Sequence, residues 1–135
     1  MIELIIPGEV IAKGRPKFTS RGGYARAYTP KKTKDYEALV KYYALQLKQT
    51  PLTEAIEVTI SVHRVPPKSW SKKKQREALE GTILPTVKSD IDNYCKSIID
   101  GLNGILFEDD KQICKLIATK DYSETDKAVV IIKQI

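Results

Sequence analysis

The sequence predicts an α/β fold of the α+β kind, in which a small mixed sheet packs against helices. Two observations lead to this prediction: four segments have the pattern of strands, and three others repeat apolar residues at helical spacing. The strands and helices do not alternate regularly and no GxGxxG turn occurs, which argues against a dinucleotide-binding fold. At 135 residues the chain has the size of one compact domain, so we expect a single domain over residues 1–135.

The strands are predicted from apolar runs and from the alternation of apolar and polar residues. The clearest alternation is in residues 56–63, where every second residue is apolar, so the strand has one buried and one solvent-exposed face. Strands are also predicted at residues 2–6, 113–119 and 128–132. His63 falls on the solvent-exposed face, and no residue at a spacing typical of a catalytic partner accompanies it. We therefore expect an ordinary surface residue without a catalytic role.

Helices are predicted at residues 30–49, 71–80 and 91–103, where apolar residues recur at positions three or four apart. Thr29 and Pro30 are expected to cap the first of these helices. Together with the predicted strands, the helices complete a mixed layered fold.

The composition limits the classes of protein to consider. With 41% hydrophobic and 30% charged residues, the chain has enough apolar material for a core, which argues against disorder. No apolar run approaches the roughly 20 residues that span a bilayer, so we expect a soluble cytoplasmic protein without a membrane partner. Cys95 and Cys114 form neither a disulfide framework nor a metal cage, and both are expected to be reduced core residues.

The formal net charge of +6 is concentrated near the N-terminus. Residues 13–48 hold ten lysines and arginines against two acidic residues, together with five of the seven tyrosines. Cations interleaved with aromatic rings are typical of surfaces that bind phosphates and stack bases. The stretch 13–24, rich in glycine and cations, is predicted to be a mobile basic loop that contacts nucleic acid. Its candidate contact residues are Lys13, Arg15, Lys17 and Arg21.

Two parts of this basic pattern have simpler interpretations. Tyr36 and Tyr43 fit the buried stripe of the first helix, and we prefer that interpretation to base stacking. A second basic cluster at residues 68–76 surrounds Trp70, and a charged solvent face explains it as well as a binding surface does.

The acidic residues gather in a different part of the sequence. Asp90 and Asp92 lie at the start of the third predicted helix, and residues 108–110 read Glu-Asp-Asp. The turn after the helix could return Asp109 or Asp110 to the helix start. Crowded carboxylates repel one another, and a divalent cation with a preference for oxygen ligands offsets that repulsion. Mg²⁺ or Mn²⁺ fits such a group, whereas zinc does not.

This acidic group suggests phosphodiester hydrolysis, in which metal ions activate water and stabilise the leaving oxygen. Lys96 shares a helix face with Asp92 and Asp100, and it could hold the phosphate or neutralise developing charge. Each residue also has a plain structural explanation. Asp90 could cap the helix, and Lys96 could form an i,i+4 pair with Asp92 worth only about 0.3–0.5 kcal/mol.

A longer pattern joins these residues: Asp90-Ile91-Asp92-Asn93, Lys96 on the next helical turn, then Asp109-Asp110 and Gln112. This pattern resembles the RusA family of Holliday-junction resolvases. This match covers about a fifth of the chain, residues 85–113, and the stretches 13–16 and 28–32 resemble one branch of the same family.

The resemblance implies a small homodimeric, Mg²⁺-dependent endonuclease that makes paired nicks, in strands of like polarity, across a four-way DNA junction. By motif position the metal ligands are Asp90, Asp92 and Asp110, and the catalytic cation is Lys96. Family members can carry arginine just before the first aspartate, where this chain has Ser89, and Lys88 one place earlier is the candidate phosphate contact. A homodimer would supply two symmetric sites and two basic surfaces.

Two other functions remain open on the sequence. The same nuclease chemistry could act on flaps, forks or other branched nucleic acids, because the motif does not encode branch geometry. A basic DNA-binding module without catalytic activity could also use the acidic residues structurally and bind through lysine and arginine alone.

Overall fold

The computed structural model describes residues 1–23 and 25–135, except for the side chain of Arg21. Its strands are β1 (Ile2–Pro7), β2 (Lys17–Thr19), β3 (Arg26–Tyr28), β4 (Ile56–Arg64), β5 (Ile113–Tyr122) and β6 (Lys127–Gln134). The α-helices are α1 (Lys31–Gln46), α2 (Lys72–Leu79) and α3 (Ile91–Leu102), and short 3₁₀ turns occupy Arg21–Gly23 and Asp110–Gln112.

The main sheet is mixed, which confirms the predicted fold class. Its strand order is β1-β6-β4-β5, with β6 antiparallel to both of its neighbours and β4 parallel to β5. The four predicted main-sheet strands are present, each extended by one to three residues at one or both ends.

One face of this sheet carries the hydrophobic core. Alternate residues of β1, β4 and β6 point to that face and are buried, as the alternation in residues 56–63 predicts. Helices α1 and α3 pack together over this face, and Val40 and Ile98 are fully buried. At their contact a β-carbon on Gly101 would lie 2.7 Å from the Val40 Cβ, so only glycine permits this close approach.

The opposite face of the sheet is more open. Ile5 and Ile117 remain 50% and 40% exposed there, and Val129 and Ile131 are half-buried. His63 lies on this face as expected, and its Nδ1 is hydrogen-bonded to the Asp121 carboxylate of the neighbouring strand.

The stretch 13–24 is only partly irregular: β2 occupies Lys17–Thr19 and a 3₁₀ turn Arg21–Gly23, whereas residues 13–16 form no helix or strand. Strands β2 and β3 form an antiparallel hairpin, in which Phe18 pairs with Ala27 and is 74% exposed. Three-residue strands without a buried face lack the alternation that marks a strand in the sequence, which explains why this hairpin was not predicted. Tyr24 lies outside the described residues.

The three predicted helices are present with small differences at their ends. Pro30 is the N-cap residue of α1 and no side chain caps the helix, so the expected cap by Thr29 is wrong. Tyr36 is buried and Tyr43 half-buried, which confirms their place in the helix stripe. Ser71 caps α2 by accepting a hydrogen bond from the Lys74 amide.

The prediction for the cysteines is half right. Both thiols are free, and Cys95 is buried in α3. Cys114 is exposed on β5, at a register shift against β4 where it has no paired residue. Within the described part of the chain, no helix combines the length and the apolar character needed to cross a membrane.

Candidate active site

The start of α3 positions two of the predicted acidic residues. Asp90 is the N-cap residue, but its side chain makes no capping hydrogen bond, so the capping interpretation does not explain it. Asp92 lies in the first turn, where the helix dipole favours a negative charge. The opposite side of α3 packs into the core through Tyr94 and Ile98, which leaves the acidic side accessible.

The turn after α3 brings the third acidic segment back to the helix. Gly104 adopts a φ of 81° and its amide donates to the Phe107 carbonyl oxygen at 2.8 Å. Leu106 and Phe107 are fully buried and anchor the returning chain. The turn returns Asp110 to the exposed face of α3, where it lines one cleft with Asp92 and Asp100. The closer approach to the helix start that the sequence suggests stays a prediction.

Gln112 fixes this returning segment. Its side-chain oxygen accepts a hydrogen bond from the Asp109 amide at 2.8 Å. Its side-chain nitrogen donates to the carbonyl oxygens of Leu52 and Glu54 at 2.8 and 3.0 Å. The glutamine that follows the Asp-Asp pair thus ties the acidic turn to the segment before β4.

Four charged side chains of the site line one cleft between α3 and β5. They are Asp92, Lys96, Asp100 and Asp110, and the cleft has a volume of about 390 Å³. Its remaining walls are apolar, with Ile91, Cys95, Ile99, Leu116 and Ala118. We call this space the acidic cleft. Charges beside such apolar walls interact more strongly than they would in open water.

Asp90 does not line the acidic cleft. It lines a neighbouring hollow, which it shares with Asp92 and the segments 84–86 and 118–120. The sequence motif therefore places Asp92 between two adjoining spaces, with Asp110 on one side and Asp90 on the other.

The carboxylates of the returning turn influence each other's protonation. A hydrogen bond with Asp109, partial desolvation and the charges of Asp109 and Asp100 raise the pKa of Asp110. The same hydrogen bond lowers the pKa of Asp109. Asp109 therefore acts on Asp110 directly, and the acidic cleft concentrates negative charge, as the sequence predicts.

Lys96 is an exposed cation on this acidic wall. In the residues that the structure describes, no ion pair joins its ammonium to Asp92, so the i,i+4 pair considered from the sequence is not formed. Lys96 is thus the cation in the lining of the acidic cleft. The Cys95 thiol beside it favours its neutral form, because burial and the Asp92 charge raise the pKa of that thiol.

The donor atoms fit a hard divalent cation. Within residues 1–23 and 25–135, no three histidine, cysteine or acidic side chains form a ready-made metal-binding group. Mg²⁺ is usually held by one or two carboxylates together with water and substrate phosphate, and not by an all-protein cage. Asp92 and Asp110 in one cleft, with Asp90 beside it, meet that requirement.

Sequence reasoning did not identify Asp100 as a site residue, although it recognised that Asp100 shares a helix face with Asp92 and Lys96. Its carboxylate lines the acidic cleft and forms an ion pair with Lys13, whose Nζ lies 3.0 Å from an Asp100 carboxylate oxygen. The spacing of four residues between Lys96 and Asp100 is the signal that could have identified it.

The expected DNA contacts fall in different environments. The Lys13 side chain is only 18% exposed, and its ammonium is paired with Glu37 as well as Asp100, both at 3.0 Å. Arg15 and Lys17 are exposed at the hairpin, whereas the side chain of Arg21 lies outside the described part of the chain. Lys88 is exposed on the approach to α3 and lines a polar cleft on the other side of the helix start.

Comparison with known proteins identifies the family of the chain. The family model described as Endodeoxyribonuclease RusA matches residues 7–133 of the chain. The chain is also similar to the uncharacterized protein YqaN of Bacillus subtilis (strain 168). The two are 36% identical over 137 aligned residues, which cover 99% of this chain and 96% of that protein. The chain therefore belongs to the RusA endodeoxyribonuclease family, which points to nuclease activity on DNA.

Proposed function

We propose that this protein is a Mg²⁺-dependent endodeoxyribonuclease that resolves four-way DNA junctions by nicking two strands of like polarity. The observation that carries the proposal is the acidic cleft, which Asp92, Lys96 and Asp110 line together. The family match supports the nuclease chemistry. Mn²⁺ is expected to substitute for Mg²⁺, because both ions accept oxygen ligands. A role in DNA recombination and repair follows from this choice of substrate, and we also propose a cytoplasmic location.

Asp92 and Asp110 would hold the divalent ion, and Asp90 would contribute from the adjoining hollow. When bound, the ion supplies a nucleophilic water and charge stabilisation at the scissile phosphate. Asp109 helps to set the charge of Asp110 through their hydrogen bond. Gln112 keeps the turn that carries both aspartates in place.

Lys96 is the proposed catalytic cation. Its ammonium group neutralises negative charge that develops on the phosphate oxygens during cleavage, in the same cleft as the acidic ligands. Leu116 and Ala118 are apolar neighbours in the lining of the same cleft. Since no ion pair with Asp92 occupies Lys96 in the described residues, the cation is available to the substrate.

A homodimer is part of this proposal. Two symmetric nicks require two active sites related by a twofold axis, which two copies of one chain supply. The open face of the main sheet offers an apolar surface for such an interface, with Ile5, Ile117, Val129 and Ile131. The hairpin cations Arg15, Lys17 and Arg21, together with Lys88, would hold the arms of the junction from both protomers.

The substrate is tested by comparing DNA structures at equal salt. A synthetic four-way junction, a flap, a fork and a linear duplex are incubated with the protein in Mg²⁺, and each labelled strand is mapped. The proposal predicts paired nicks at symmetry-related positions in the junction and slower cutting of the others. Preferred cutting of flaps or forks would assign the enzyme to other branched nucleic acids. Tight, salt-sensitive binding without any product would indicate a binding module.

A further inference from the structure

A second cleft lies on the other side of the α3 start. It has a volume of about 370 Å³, and its walls come from the segment 9–14, the first turn of α1, the end of β4 and the approach to α3. Unlike the acidic cleft, it is lined mainly by polar groups. We call it the basic cleft because of the three cations described next.

Three cations from three different parts of the fold line the basic cleft. They are Lys32 of α1, Arg64 at the end of β4 and Lys88 before α3. The acidic side chain in the lining is Glu9. Lys13 also lines the cleft, but Glu37 and Asp100 neutralise its ammonium. The free charge of the cleft is therefore positive, which suits an anion.

The part of the cleft around Lys88 is held in place by hydrogen bonds. Arg64 donates to the Lys88 carbonyl oxygen, which uses one of the five N–H donors of its guanidinium. Lys120 Nζ donates to the Ser89 carbonyl oxygen at 3.0 Å, and the Ser89 amide donates to the Tyr94 hydroxyl at 3.2 Å. The backbone that carries Lys88 is thus positioned before any ligand arrives, and Arg64 keeps donors for a phosphate oxygen.

The basic cleft adjoins the proposed catalytic carboxylates. Lys88 is two residues from Asp90, so the two backbone positions are at most about 7 Å apart. Asn93, which follows Asp92, also lines the basic cleft. A DNA strand that crosses the start of α3 would therefore meet acidic ligands on one side and unpaired cations on the other.

We infer that the basic cleft binds a single backbone phosphate next to the scissile linkage, held jointly by Lys32, Arg64 and Lys88. The forked guanidinium of Arg64 matches phosphate oxygens in two directions, and the two ammonium groups add charge. The position next to the scissile linkage rests on the proposed nuclease function. The existence of a phosphate site does not, because it follows from the charge and the walls of the cleft.

Salt dependence counts the phosphates that a protein neutralises. The slope of log affinity against log salt concentration changes by about 0.9 for each phosphate on duplex DNA. Binding of a junction is measured in EDTA, which prevents cutting, for the wild type and for K32Q, R64Q, K88Q and the triple variant. The control is Lys31→Gln, which removes an exposed cation from the same helical turn without touching the cleft.

If the three cations hold one phosphate together, the slope of log affinity against log salt should become shallower by about one unit in the triple variant. The triple variant should also bind the junction about tenfold more weakly. Each single variant leaves two cations beside the phosphate and is expected to lose less slope than the triple variant, and Lys31→Gln none. An unchanged slope in the triple variant, or an equal loss in Lys31→Gln, would overturn the inference. A loss near three units would do so too, because it would mean three independent contacts.

The failure of this inference can be told apart from failure of the proposed function. Absence of cutting by the wild type would refute the nuclease proposal, while the slopes measured in EDTA would still test the phosphate site. Normal cutting by the wild type, together with an unchanged salt slope in the triple variant, would refute only the phosphate site.

Discussion

The ammonium of Lys13 lies 3.0 Å from the Asp100 carboxylate, although 87 residues separate the two in the sequence. The same nitrogen lies 3.0 Å from Glu37 in α1. Near this contact the Lys13 amide donates a hydrogen bond to the Asn93 carbonyl oxygen at 2.8 Å. The Ser97 hydroxyl donates to the Ile11 carbonyl oxygen at 2.7 Å. The segment before the hairpin is thus attached to the helix that carries the candidate active site.

Replacement of Lys13 by methionine is expected to lower the free energy of unfolding by about 1–2 kcal/mol, since two half-buried carboxylates lose their partner. Urea unfolding at pH 7 measures the effect. Lys17→Met, at an exposed position of β2, is the control and should change little. An unfolding free energy equal to that of the wild type would contradict the stabilising role of the pair.

The same variant tests the sign of the pH dependence. Burial works to lower the pKa of Lys13, but its bonds with Asp100 and Glu37 outweigh burial and raise the pKa above the ordinary 10.5. The ion pairs of Lys13 therefore make their full contribution to the free energy of unfolding below pH 10.5. This contribution is lost as the pH rises through the higher pKa that Lys13 has in the folded protein. The difference between the wild type and Lys13→Met should shrink above that pH.

Asp110→Asn is expected to weaken Mn²⁺ binding at least tenfold, because it removes an oxygen ligand from the acidic cleft. Calorimetric titration of the whole protein measures the affinity. Thermal stability without metal should be equal or higher, since the variant relieves repulsion with Asp109 and Asp100. Glu108→Gln, an exposed carboxylate outside the cleft lining, is the matched control. Loss of folding in Asp110→Asn would instead favour a structural role.

Lys96→Gln is expected to slow cleavage by about 10²–10³-fold while leaving DNA affinity nearly unchanged, because the ammonium acts on charge that develops during the reaction. Single-turnover cleavage and binding in EDTA separate the two effects. Lys73→Gln, on α2, removes a cation away from the acidic cleft and is the comparison. A normal cleavage rate in Lys96→Gln would leave Lys96 as a surface residue.

The hairpin variant R15S/K17S/R21S is expected to bind the junction more weakly and to reduce the salt slope by up to about 0.9 per lost phosphate contact. The triple variant K72S/K73S/R76S removes as many charges from α2. These α2 cations lie among Glu77 and Glu80, which lowers the local net charge. Equal effects of the two triple variants would show that general charge, and not the hairpin surface, governs binding.

The part of the fold that follows local periodicity could be predicted from the sequence. The alternation in residues 56–63 predicts β4, and the helical spacing of Tyr94, Ile98 and Leu102 predicts the buried side of α3. The same spacing places Asp92, Lys96 and Asp100 on one face. The arrival of Asp110 was only a possibility, because it depends on the turn at Gly104 and on burial of Phe107.

Features set by long-range contacts could not be predicted. No pattern indicates that Lys13 pairs with Glu37 and Asp100, so its sequence neighbours suggested a DNA contact. The exposed Cys114 lies at a register shift between β4 and β5, which periodicity does not reveal. The basic cleft likewise brings together residues from distant segments.

The central claim is that Asp92 and its partners in the acidic cleft catalyse cleavage of a four-way junction. The most direct measurement compares cleavage of a synthetic junction by the wild type and by Asp92→Asn, in Mg²⁺ and in EDTA. Wild type should cut only in Mg²⁺, and Asp92→Asn should cut at least about 100-fold more slowly while binding the junction as tightly or more tightly. Equal cutting by the two proteins, or cutting by the wild type in EDTA, would contradict the claim.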